Sequence, residues 1–310
     1  MGFLDIFRRE QSPRARANRE PLFDDHFQRK LEMLALVSRR VFAGRLRAER
    51  RTKKKGSGIE FADHRDYVAG DDFRSVDWNV YQRFGKLLVR LYEEEEDLSI
   101  YLIVDCSRSM GFGNQKKFDQ ARRLCAALAY VGLANLDRVT VVAVNEAVVS
   151  RMPATRGKGR IFKVFEFLSQ LEPGGTTDLA SALKTFVAQH KRRGLAVLFS
   201  DLYDPAGFEA GINMLRFNKF EPYVVGLVDP SDARPALKGD VRIYDCETGE
   251  ERELTITDGM LDKMERAVGD YRASIERFCA QKQVPYFPAD VNTPFDELVL
   301  RVFRRGGFLR

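Results

Sequence analysis

The order of apolar and polar positions changes character near residue 98. Upstream, Phe23, Phe27, Leu31, Leu34, Val37 and Val41 recur every three or four positions. That spacing predicts one face of an amphipathic helix over 22–43. A polybasic stretch and the "GSG" at 56–58 end the pattern, and short extended or turn-rich pieces follow. Among them "KLLVRLYE" is a strand candidate. Downstream the text alternates. "LSIYLIVD" reads as a buried strand, "QKKFDQARRLCAALAYVGLAN" as a helix and "RVTVVAVN" as a second strand. Helices are expected at about 158–170 and 178–191, a strand at "LAVLFSD", a helix at "AGFEAGINMLRF" and a strand at "EPYVVGLVD". "VRIYDCETGEERELTIT" predicts a hairpin turning at "ETGE". A long helix over about 258–281 and a strand at "VPYFPAD" complete the set. Strands alternating with helices of this length predict an α/β fold with a mainly parallel sheet flanked by helices.

Composition narrows the class. Apolar residues make up 44% of the 310, enough for a large core, and 31% are charged. No apolar run approaches the ~20 residues that span a bilayer, so no transmembrane segment is expected. "MGFLDIFRREQ" lacks the apolar stretch and cleavage site of a secretory signal. A cytoplasmic location is expected. Cys106, Cys125, Cys246 and Cys279 are scattered without zinc-like spacing, and His26, His64 and His190 lie far apart. Reduced, mostly buried thiols are expected, and a soft-metal centre is not.

Charge is uneven. Residues 1–60 carry 16 Lys+Arg against 8 Asp+Glu, a net +8, which leaves −2 for the rest of a chain whose total is +6. The excess centres on "RLRAERRTKKK" at 45–55. Such a run reads first as a solvated face or flexible arm. Binding of nucleic acid or an anionic membrane is the alternative, although no aromatic stands among the charges for bases to stack on.

Candidate chemistry gathers at strand ends. Asp105 closes the first strand of the alternating region, and Ser107 and Ser109 follow at alternate positions. Asp201 closes "LAVLFSD", and "PGGTTDLASAL" sets Thr176, Thr177 and Asp178 at a Gly-rich turn into a helix. Open parallel sheets bind ligands beyond their carboxyl edge. Carboxylates and hydroxyls converging there select a hard cation, Mg²⁺ first, with Mn²⁺ or Ca²⁺ as alternatives. The same residues also serve as helix caps, and Asp178 is read as a cap or an outer residue.

This constellation resembles the metal-ion-dependent adhesion site of von Willebrand factor A domains over roughly residues 98–290. The family's Asp-x-Ser-x-Ser is matched by Asp105, Ser107 and Ser109, its threonine by Thr176 (Thr177 being the less favoured choice), and its later aspartate by Asp201. The resemblance implies a metal set of Asp105, Ser107, Ser109, Thr176 and Asp201. The serines would bind directly and Asp105 through water, with a coordination position left for a partner's carboxylate.

Upstream, Gly58, Glu60 and Phe61, then Arg65 and Tyr67, then Gly70, Asp71, Asp72 and Arg74, then Asp77 and Trp78 follow the signature of the domain-of-unknown-function-58 family. A glutamate run at 93–96 fits as well. Where many relatives continue with an Ala-Arg pair, this chain reads "NVYQRFGK", with Arg83 as the substitute. The charged block is read as an ion-pair network in which Arg65 and Arg74 meet Asp71, Asp72 or Asp77 over a packed Trp78.

The resemblance implies a non-enzymatic interaction module that recognises an acidic residue of a protein partner. It also implies an adaptor or chaperone-like role beside a MoxR-type AAA+ ATPase, which would supply the energy because this chain has no Gly-x-x-x-x-Gly-Lys-Ser/Thr loop. A metal-dependent phosphohydrolase is the enzymatic alternative, disfavoured because position 107 is Ser where an Asp-x-Asp nucleophile motif needs Asp. The expected organisation is a disordered 1–20, a leader at 21–97 and a von Willebrand A-like, Rossmann-like domain at 98–290 carrying the hairpin insertion. A tail helix is expected at 291–310.

Overall fold

The computed structural model describes residues 22–42, 51–55, 60–95, 99–112, 116–245, 247 and 249–305. The expected disorder of 1–20, residues 45–50 of the basic run, Gly58 and Cys246 lie outside them. The chain divides into two compact units, one of Met1–Ser38 with Leu98–Arg310, the other of Arg39–Asp97.

Helix α1 (Asp25–Phe42), which belongs to the large unit as far as Ser38, begins behind Asp24, whose carboxylate caps it by accepting from Phe27 N at 2.7 Å. Its expected apolar face is buried at Phe27 and Leu31. Phe23 stacks on Phe165 with ring centroids 4.7 Å apart, and Phe27 meets Phe295 at 4.8 Å.

The small unit is a three-stranded antiparallel sheet in the order β1–β3–β2, formed by β1 (Arg51–Lys55), β2 (Glu60–Asp66) and β3 (Leu88–Glu95). The basic run, expected as a solvated face or flexible arm, is therefore strand over its last five residues. Its register sets Lys53 opposite Glu93, Thr52 opposite Glu94 and Arg51 opposite Glu95. Backbone pairing with an acidic strand gives the two charge runs a common place in the sheet.

Between β2 and β3 lies helix α2 (Trp78–Phe84). Asp77 caps it by accepting from Asn79 N and Val80 N. The same carboxylate receives Arg90 Nη2 at 2.9 Å and lies 2.9 Å from His64 Nε2. Those two partners hold its pKa far below the usual carboxylate value of 3.8. Arg65 pairs with Asp71 at 2.6 Å as expected, whereas Asp72 accepts from the backbone of Arg74. Trp78 does not pack beneath the network. It is 54% exposed at the first position of a short helix, and its indole meets Tyr81 edge-on with ring centroids 6.1 Å apart.

The large unit is built on a six-stranded sheet of β4 (Ser99–Asp105), β5 (Arg138–Val144), β6 (Val148–Thr155), β7 (Leu195–Ser200), β8 (Glu221–Val228) and β11 (Tyr286–Asp290). Its order is β11–β8–β7–β4–β5–β6. All neighbours are parallel except β6, which runs antiparallel along β5. Strand β6 is not anticipated by the sequence reading. Its Pro153 removes a ladder donor, which is tolerated because β6 is an edge strand and its register with β5 shifts at that point. Every residue of β4 is buried, as a strand covered on both faces requires.

The helices are α3 (Lys116–Ala134), α4 (Ile161–Gln170), α5 (Leu179–Gln189), α6 (Glu209–Phe217), the short α7 (Pro230–Ala233), α8 (Asp258–Gln281) and α9 (Phe295–Arg305). One core layer joins Tyr101, Ile103 and Leu198 of the sheet to Leu183 and Phe186 of α5, Ile212 of α6 and Ile275 of α8. The hairpin inserted after α7 pairs β9 (Gly239–Tyr244) with β10 (Glu251–Ile256). Cys106, Cys125 and Cys279 are buried free thiols, as expected. No helix among the described residues is long and apolar enough to cross a membrane.

Numbered from β4, the sheet reads 3-2-1-4-5-6. Its chain order reverses between β4 and β7, the switch point where such sheets open a crevice at their carboxyl edge. Asp105 and Asp201 stand on either side of that point.

Candidate metal centre

Asp105 is fully buried, and both of its oxygens are used within the protein. Oδ1 accepts from Ser107 N at 2.8 Å and Oδ2 from the Ser200 hydroxyl at 2.6 Å. Burial, and then the charge of Asp201, push its pKa up to about 7. The 2.8 Å bond bends the chain back so that Ser107 and Ser109 point into one concavity. Their buried Oγ atoms are 3.0 Å apart, and Ser109 Oγ lies 3.3 Å from Asp201 Oδ1.

The Gly-rich turn is fastened to this loop through backbone bonds. Gly174 N donates to Cys106 O at 2.7 Å and Arg108 N to Gly175 O at 3.3 Å. From the end of β5, Asn145 Nδ2 donates to Gly174 O at 3.1 Å. Gly175 has φ +79°, and a Cβ there would sit 2.5 Å from Asn145 Nδ2. Only glycine fits that approach in that conformation.

The two threonines beyond the turn diverge. Thr176 Oγ1 bonds the carboxylate of Glu146, at an exposed position. Thr177 is buried and donates to Glu247 twice, from Oγ1 to Oε1 at 2.6 Å and from N to Oε2 at 3.0 Å. Asp178 caps α5 by accepting from Ser181 N at 2.9 Å, the capping role expected of it. The structure thus gathers Asp105, Ser107, Ser109 and Asp201, while Thr176 turns to Glu146 and its neighbour faces the buried side.

Two groups in the site carry no sequence signal. Lys117, in the first turn of α3 and only 1% exposed, places Nζ 2.8 Å from Asp201 Oδ2 and 3.1 Å from Asp232 Oδ2. It is the charge partner of both carboxylates, the pairing that burial of such groups calls for. Glu247 comes from the "ETGE" turn of the hairpin, and its pKa is raised by burial, with the charge of Asp201 among the lesser causes. Both residues are sequence-distant from their contacts, which is why motif spacing does not reveal them.

These donors suit a hard cation. Octahedral Mg²⁺ holds ligands at about 2.0–2.1 Å, so neighbouring oxygens in its shell lie about 3 Å apart, the separation of the Ser107 and Ser109 hydroxyls. Asp201 offers Oδ1 on the serine side while Oδ2 is held by Lys117. Among the described residues there is no cluster of three or more His, Cys, Asp or Glu positioned for a metal, so any centre here must rest mainly on hydroxyls.

The strand order, the antiparallel edge strand and the helices on both faces define a von Willebrand factor A-like domain. The chain belongs to the family described as protein of unknown function DUF58, whose model matches residues 63–274. An uncharacterized protein of Mycobacterium tuberculosis is 29% identical over 252 residues, 80% of this chain and 79% of its own length, and one of Mycobacterium bovis matches equally. Solved structures with a similar fold include the conserved hypothetical protein BatB from Bacteroides thetaiotaomicron. It has a TM-score of 0.41 at 13% identity and covers 67% of this chain and 98% of that one. Manganese-loaded TRAP protein of Plasmodium vivax has a TM-score of 0.31 at 19% identity, covering 42% and 57%.

Proposed function

We propose that the protein is a non-enzymatic interaction module that binds a divalent cation, Mg²⁺ foremost, at the β4–β7 rim and presents it to a carboxylate of a protein partner. The observation that supports this most is the convergence of Ser107 Oγ, Ser109 Oγ and Asp201 Oδ1 beside the switch point. Ser107 and Ser109 would hold the ion directly. Asp105, fully buried behind the serine loop, would act through water and by positioning that loop through Ser107 N. Thr177, buried and on the inner side, suits the threonine role better than Thr176.

Because Lys117 offsets the charge of Asp201, a cation seated on two neutral hydroxyls would keep much of its positive charge. Such an ion attracts an external carboxylate, which is binding chemistry and not turnover. The family resemblance adds the class of partner, a MoxR-type AAA+ ATPase, for which this chain would act as an adaptor.

Calorimetric titration with Mg²⁺ and Mn²⁺ tests the reading. One saturable site is expected for the wild type, no heat for Ser107→Ala/Ser109→Ala, and binding weakened roughly 10–100-fold for Asp105→Asn, the usual effect of losing an outer-shell partner. A flat wild-type titration would reject it. Retention of the ATPase from cytosol by the wild type with Mg²⁺, but not with EDTA, tests the partner.

A further inference from the structure

The turn that joins β9 to β10 reaches the rim through a single acidic side chain. Glu247 N donates to Asp245 Oδ1 at 2.8 Å, and Gly249 N to Asp245 O at 2.9 Å, which closes a tight turn around the residue. The Glu247 carboxylate then accepts both the backbone N–H and the hydroxyl of Thr177. Thr177 directly follows the residue after the Gly174–Gly175 turn, which is itself bonded to the Cys106–Arg108 loop. The hairpin thus ends on Thr177, one residue beyond a turn that is fastened to the serine loop.

Resting on the cation-binding reading above, we propose that Glu247 is a built-in stand-in for the partner's carboxylate. It fills the ligand position of the rim until a partner displaces the hairpin turn. The chemistry follows from charge placement. Asp201 is offset by Lys117, so a cation on Ser107 and Ser109 has few charged protein ligands. The carboxylate that the chain itself brings to Thr177 is Glu247. Three of its neighbours in the turn, Asp245, Glu250 and Glu251, are acidic as well. Arg252 is drawn to Glu250 and Arg242 to Glu251, so the basic residues of the hairpin strands are engaged with those neighbours, while the Glu247 carboxylate is held by Thr177. A partner able to compete must offer a carboxylate on an equally protruding turn.

The probe is Mn²⁺ alone, followed by water-proton relaxation and by amide exchange across residues 239–256. Wild type is compared with Glu247→Ala, with Glu247→Gln, which keeps hydrogen-bonding atoms toward Thr177, and with Ser107→Ala/Ser109→Ala. In wild type, Mn²⁺ should carry fewer exchangeable waters than in either Glu247 variant, and the hairpin amides should become more protected when it binds. Both Glu247 variants should bind Mn²⁺ more weakly, gain relaxivity and show no change in hairpin protection. Equal relaxivity and affinity in wild type and both Glu247 variants, with binding still lost in the serine double variant, would overturn this inference alone. Absence of Mn²⁺ binding by the wild type would overturn both it and the cation reading.

Discussion

Lys117 is the residue whose removal should be felt most. Its ammonium lies between two carboxylates, and deleting one member of a buried ion pair leaves uncompensated charge that typically costs about 3–5 kcal/mol. Lys117→Met should lower the stability of the protein in EDTA by about that much in urea unfolding, and Mg²⁺ should restore part of it by supplying the missing positive charge. Asp105 makes a different prediction. Its folded pKa is raised from 3.8 to about 7, so the folded chain keeps a proton that the unfolded chain has released. Between those values the unfolded state binds fewer protons, and stability falls as pH rises. In EDTA the wild type should therefore lose stability from pH 4 to pH 7, with little further change above. Asp105→Asn should flatten that slope and be the more stable of the two at pH 7.5. The pairing of Asp105 with Ser107 and Ser109 was legible in the sequence, because alternate side chains beyond a strand end can share one concavity. The choice between Thr176 and Thr177 was not, because a one-residue difference after a Gly-Gly turn depends on how that turn is pinned.

At the level of elements, the Gly174–Gly175 turn determines whether the threonines and the serines form one site. Gly175→Ala would add a Cβ 2.5 Å from Asn145 in a left-handed conformation, a strain of order 1–3 kcal/mol. The turn should shift away from Arg108, and Mn²⁺ affinity should fall by about tenfold or more while the far-UV spectrum is unchanged. An unaltered affinity would mean that the turn does not shape the site. Most elements were readable from pattern. The helix expected over 258–281 is observed as Asp258–Gln281, ended by the break at Lys282, and the hairpin turns within the expected "ETGE". Strand β6 escaped because its half-exposed alternation carries a proline. The strand at 51–55 escaped because a run of like charges reads as solvated until an acidic strand is registered beside it.

Across the whole molecule, the two units should respond to acid in opposite directions. Asp77 has its pKa depressed by Arg90 and His64, so its contribution to the small unit is fully present above pH 3.8 and is lost as pH falls below it. Asp105 in the large unit gains stability over the acidic side of its own range. Hydrogen exchange in EDTA, followed from pH 7 down to pH 3, should show amides of β2, α2 and β3 losing protection first while β4 and β7 hold theirs. Simultaneous loss throughout would show that the units unfold as one. What the sequence by itself determined is the strand and helix content, the parallel sheet and the Asp105–Ser107–Ser109 loop, because each rests on local periodicity or on neighbours within a few residues. What only the tertiary structure decided is the position of Lys117 and Glu247. They lie 84 and 70 positions in sequence from the groups they contact, and a contact of that span exists only once the sheet has brought its carboxyl edge together.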